Sequence, residues 1–189
     1  MEDFMPLYNY LTDALFFGFG FITVLVLLPY YFFSPELKSI VSFLIESSCK
    51  LVRVVALIYF IVAIAFLIEQ AWDDSHFFRK ENFLGSGSAF FWIKIVTVPL
   101  SLQLFWFPKT YKNNWIVFIL ALVTAFSFLI LNERFIIVIT SLHRDFIPDG
   151  WNNNTHIMIL YYLRYLGEQL LIFTGFLVPY HVFRLYKLK

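Results

Sequence analysis

Five long apolar stretches alternate with short polar breaks along the 189 residues of the chain. They run approximately Ala14–Phe33, Leu51–Ile68, Ala89–Phe107, Trp115–Ile139 and Ile157–Phe183. A helix needs about 20 mostly apolar residues to cross roughly 30 Å of hydrocarbon, and these stretches are of that order. A barrel strand would instead alternate apolar and polar positions over about ten residues, which none of the five does. Turn chemistry marks the gaps: Ser34-Pro35, Gly85-Ser86-Gly87-Ser88, Pro108 with Asn113-Asn114, and Pro148-Asp149-Gly150. The pattern predicts five helices, each long enough to span a bilayer, in one transmembrane domain over residues 1–189.

Composition fixes the solvent. Apolar residues make up 60% of the chain and charged ones 14%, against roughly 45–50% and about 25% in soluble domains. Aromatics reach 22% and mean hydropathy is +0.75. A soluble globule of this size has too little interior for so much apolar surface, so the fold class is an all-α integral membrane protein. A disordered chain and a disulfide scaffold are excluded by the same figures. The net charge of +1 is too balanced for a nucleic-acid partner. The lone Cys49 allows neither an internal disulfide nor a cysteine-based metal site.

Loop charges set the expected orientation. The N-terminal flank MEDFMPLYNYLTD is acidic, unlike a cleavable signal, and places the N-terminus outside. With five crossings, eight positive residues then fall inside: Lys38, Lys50, Arg53, Lys109, Lys112, Arg184, Lys187 and Lys189. Three fall outside: Arg79, Lys80 and Arg144. That bias has the sign of an N-outside, C-inside protein.

Charges within or beside the spans are the candidates for chemistry, because burying them in hydrocarbon is costly. Glu69 ends the second stretch, Lys94 lies in the third and Glu133-Arg134 in the fourth. Arg164, Glu168 and Gln169 lie in the fifth. Arg164 and Glu168 are four apart and share a helix face, so they can pair with each other. Glu133 and Arg134 are adjacent and diverge by about 100° around a helix, so each needs a partner elsewhere. Lys94 is a candidate partner for Glu133 or Glu69. Thr140, His143, Arg144 and Asp145 crowd the end of the fourth stretch. These charges read either as clamps between helices or as stations of a proton route. Gly18 and Gly20 are small enough for close helix approach.

Known constellations for hydrolysis or phosphate binding are missing from the sequence. The four histidines do not form a haem pair within the bundle. His76, His143 and His156 fall at or beyond the outer end of the spans, and His181 falls near the inner end.

From Phe91 onward, one stretch carries a resemblance. Pro99-Leu-Ser-Leu-Gln-Leu-Phe-Trp-Phe107 leads through Lys109 and Asn113-Asn114 into the fourth stretch. That stretch ends Asn132-Glu-Arg-Phe, then Thr140-Ser-Leu-His-Arg-Asp-Phe146, Pro148 and Trp151. Upstream, Ser47-Ser-Cys-Lys50 and Glu69-Gln-Ala-Trp72 stand in matching places. The pattern resembles the NrfD/polysulphide-reductase family of membrane subunits, and within it the quinol-oxidising membrane subunit of bacterial alternative complex III. The run from Glu133 to Trp151 is its specific part.

The resemblance implies the C-terminal half of the family fold: a four-helix bundle plus one peripheral helix. It implies a subunit of a quinone-linked respiratory electron-transfer complex, acting as scaffold and offering a proton path. Along it would lie Glu133, Arg134, His143 and Asp145; these four together with Glu69, Lys94, Arg144, Arg164 and Glu168 are the candidates for either a proton path or interhelical ion pairs. No cofactor is expected on this chain itself, since cluster ligation needs several cysteines. Quinone, haem and iron–sulphur clusters would belong to partner subunits, membrane-bound and peripheral, with lipid as surroundings and quinone at an interface. The alternative, from a different class, is a small stand-alone transporter or channel.

Overall fold

The computed structural model describes residues 4–72, 92–130 and 155–187. Every regular element among them is helical. The long helices are α1 (Phe4–Leu27), α2 (Pro35–Trp72), α5 (Asn114–Ile130) and α6 (Thr155–Lys187). Between α2 and α5 lie two short helices, α3 (Val98–Leu102) and α4 (Pro108–Tyr111). Three of the helices are long and apolar enough to cross a membrane: α1 over Leu7–Leu27, α2 over Pro35–Ala65 and α6 over Leu163–Tyr186.

Local chemistry explains where the helices stop and start. Pro29 closes α1, and a single 3-10 turn, Tyr30–Phe32, carries the chain to Ser34. Pro35 takes the first position of α2, where its missing N–H costs nothing. The polar break expected over residues 34–50 is therefore helical from its second residue onward. Residues Val41, Ile45, Cys49, Val52, Ala56 and Tyr59 are buried at spacings of three and four. That is one continuous stripe facing the core. Polar residues off that stripe dilute the hydropathy of its first half, which hides the helix from a window average.

The third apolar stretch is not one helix. Residues Ile93–Thr97 form a π-helical turn, in which the Val98 N–H reaches back to the Ile93 carbonyl. Helix α3 follows, then a 3-10 turn over Gln103–Trp106. Pro99 accounts for the loosening: it has no N–H for the carbonyl one turn back, and its ring crowds that turn. Pro179, by contrast, lies within an unbroken α6.

Contacts along α1 set the directions of its neighbours. Phe16 stacks on Phe128, whereas Gly20 meets Ala121 and Ala125, so α5 runs antiparallel to α1. Tyr10 meets Tyr165 and Gly18 meets Phe173, so α6 runs parallel to it. Tyr8 stacks on Tyr59 while α2 begins beside the far end of α1, so α2 is antiparallel. Lys94 lies near Phe128 and Phe105 near Phe19, so residues 93–106 descend in the sense of α1. Helix α1 is thus the hub, and its middle residues Ala14, Phe16 and Phe19 are sealed in the core.

Candidate functional site: a charged pair enclosed by the bundle

Asp13 is the acidic residue of the α1 apolar segment Leu7–Leu27. Its partner comes from the π-helical turn. Lys94 Nζ lies 2.9 Å from Asp13 Oδ1 and 3.2 Å from Oδ2. Both side chains are largely buried, 19% exposed for Asp13 and 27% for Lys94. A π turn inserts an extra residue into the helical spiral and so re-aims the side chains it carries, and such turns concentrate at functional sites. Here the re-aimed residue is the cation.

Aromatic rings wall the pair in. The Lys94 ammonium sits 5.0 Å from the Phe128 ring centroid. Phe128 stacks on Phe16 at 4.6 Å, Phe16 meets the edge of Tyr59 at 5.4 Å, and Tyr59 stacks on Tyr8 at 6.2 Å. In so apolar a setting the two charges hold each other, since removing either leaves the other unsolvated.

Two flanking features belong to the same level. Arg164 Nε donates to Glu168 Oε1 at 2.9 Å, the pairing expected from their spacing. Tyr10 donates its hydroxyl to Glu168 Oε2 at 3.2 Å, tying α6 to α1. The next residue, Gln169, is 1% exposed, and neither atom of its amide has a hydrogen-bond partner among the described residues.

A second polar layer sits about 20 Å away along the helices, thirteen residues of α2 at about 1.5 Å each between Tyr59 and Glu46. There Glu46 accepts from Lys50 and, at 2.9 Å, from Arg184 of α6. Arg184 also donates to Ser47 Oγ at 2.6 Å and lies over the Phe43 ring. Ser47 Oγ also lies 3.2 Å from His181 Nδ1. About two helical turns from Glu46, Arg53 donates to the Phe105 carbonyl and packs 4.1 Å from the centre of the Trp106 ring.

Among the described residues Lys94 meets Asp13, an acid that the sequence reading did not offer it. Glu69 belongs to α2. Glu133, Arg134, His143, Arg144 and Asp145, with Thr140, lie outside the described residues. The sequence reading treated Asp13 as part of an acidic flank, and Glu46 was not singled out. Lys50, Arg53 and Arg184 were counted only as loop or terminal cations. The available signal was helical spacing: Glu46, Lys50 and Arg53 recur at intervals of four and three, on a face next to the buried stripe. Among the described residues, no three metal-ligating side chains come together. Comparison with family models, with curated proteins and with solved structures finds no match.

Proposed function

We propose that the chain is an integral membrane subunit of a quinone-linked respiratory electron-transfer complex, built like half of an NrfD-type protein. The observation that carries this reading is the Glu133–Trp151 run of the sequence, with its Glu-Arg-Phe and Thr-Ser-Leu-His-Arg-Asp-Phe elements. The alternating directions of α1, α2, residues 93–106, α5 and α6 suit five successive crossings, and the loop charges favour an N-terminus outside. In this reading the chain holds no redox group. Quinone, haem and iron–sulphur clusters lie in neighbouring subunits of a bacterial inner-membrane complex. Asp13–Lys94, with Glu133, Arg134, His143 and Asp145 further along, clamps helices and offers protons a route.

A second reading, a small transporter, is favoured by one observation. Residues 93–111 form an irregular helical run, with Lys94 in its π turn and an extended residue at Phe107, comparable to the interrupted helices of transporters. Isolation from native membranes in mild detergent separates the two. Co-purification with haem- or cluster-bearing proteins is expected. A stable, monodisperse chain free of redox partners would overturn the first reading in favour of the second. Reporters fused at each end check the orientation, and a cytoplasmic N-terminus would contradict it.

A further inference from the structure

At the end of the bundle where α1 closes and α5 begins, a groove of about 180 Å³ opens between them. Leu27, Leu28, Tyr30, Asn114, Trp115 and Phe118 line it, and its wall is almost wholly apolar. Pockets built for a whole drug-sized molecule enclose roughly 300–1,000 Å³, so this one suits a hydrocarbon chain better than a ring system with substituents. Trp115 stands 64% exposed at its rim, the amphipathic ring typical of the membrane–water boundary.

The rim carries positive charge. The Lys38 ammonium lies 5.9 Å from the centre of the Tyr30 ring, which is itself part of the wall. Lys112 is exposed two residues before Asn114, and Lys109 is exposed one turn earlier. Among the described residues Glu36, the acidic residue of the first turn of α2, stands against these three. The N-terminus of α5 is already satisfied, since Asn113 Oδ1 accepts from the Trp115 and Ile116 N–H groups. The attraction for an anion at this rim therefore comes from the lysines.

We infer that this groove binds an anionic phospholipid, one acyl chain against Leu27, Leu28 and Phe118 and the phosphate between Lys38 and Lys112. A neutral quinone would gain nothing from the lysines, and a zwitterionic lipid would gain less. Basic pockets between transmembrane helices recognise anionic headgroups in this way. The inference rests on the chain lying in a bilayer and is independent of which complex it serves.

Trp115 is the built-in reporter. The full chain is placed in phosphatidylcholine vesicles containing a small fraction of brominated phosphatidylglycerol or, separately, brominated phosphatidylcholine. The difference between the chain and its Trp115→Phe variant isolates quenching at the groove. The brominated anionic lipid is expected to quench Trp115 at roughly five-fold lower mole fraction than the zwitterionic one. The double variant Lys38→Gln/Lys112→Gln should lose that preference while keeping its helicity. Equal quenching by the two lipids, or a preference that survives the double variant, overturns the site. Relief of quenching by a long-chain quinone but not by unbrominated phosphatidylglycerol also overturns it, by giving the groove to a quinone. Because quenching by either lipid shows insertion, failure of lipid selectivity is distinguishable from failure of the membrane reading.

Discussion

Helix α1 meets α5 and α6 by two different physical means. Toward α5 the contact is backbone against backbone. A Cβ added at Gly20 would lie 2.6 Å from both the Ala121 carbonyl oxygen and the Ala125 nitrogen. Toward α6 a backbone meets a side chain, since a Cβ at Gly18 would lie against Phe173. Leu177 is buried in the same core with Leu166 and Leu170 packed against it, and polar ties are added at two levels, Tyr10 on Glu168 and the Ser47–Glu46 pair on His181 and Arg184. Between and around these ties Leu171, Phe176, Val178, Val182 and Phe183 face outward. Lipid offers no hydrophobic drive for one apolar helix to join another, so association depends on close fit or on polar ties. The α5 seam uses the first device, and the α6 seam adds the second to it.

The sharpest way to break the contrast is Gly20→Val. The clash is with backbone that cannot step aside, so α1 and α5 must separate. A loss of about 3 kcal/mol is expected in detergent unfolding, at the top of the usual range for overpacking. Asp13→Asn comes next. It strands Lys94 among aromatic rings, and partial exposure reduces the cost of an unpaired buried charge to about 2–3 kcal/mol. The double variant Asp13→Asn/Lys94→Gln should recover most of it. If it does not, the pair matters to more than its own neutrality.

Arg184→Gln should loosen the foot of α6 by about 1 kcal/mol, in line with single polar ties between membrane helices. Lys50 still neutralises Glu46 in that variant, and faster hydrogen exchange over residues 177–187 would report the change. Gly167 and Gly175 of α6 sharpen the comparison from the other side, because an added Cβ there meets nothing within 4 Å. Alanine at either position should stabilise the helix by up to about 1 kcal/mol, the ordinary gain of Gly→Ala in a helix. A loss at either would mean that α6 packs on something along that face. Arg164→Gln should leave stability unchanged, since that arginine is 75% exposed.

The sequence made the helical, membrane-type class legible because length and apolarity are properties of single segments. It also flagged Gly18 and Gly20, and the Arg164–Glu168 pair follows from spacing alone. The first half of α2 was hidden because a hydropathy window averages round the helix, whereas burial selects one stripe. The Asp13–Lys94 pair was hidden for a different reason. Its members are 81 positions apart, and no local pattern says which acid a buried lysine will meet. The π turn that aims Lys94 has a mark in the sequence, Pro99, but a proline alone does not say whether a helix kinks, ends or takes in an extra residue.

The length of α2 has a mechanical consequence. Its 38 residues measure about 57 Å at about 1.5 Å per residue. Membrane helices tilt by up to about 40°, and even at that angle about 26 residues suffice for roughly 30 Å of hydrocarbon. About a dozen residues, three turns of the rod, must therefore stand clear of the hydrocarbon at one end or the other. Because α2 is continuous from Pro35 to Trp72, a torque applied to the protruding turns is carried to Tyr59 and the charged level without an intervening hinge.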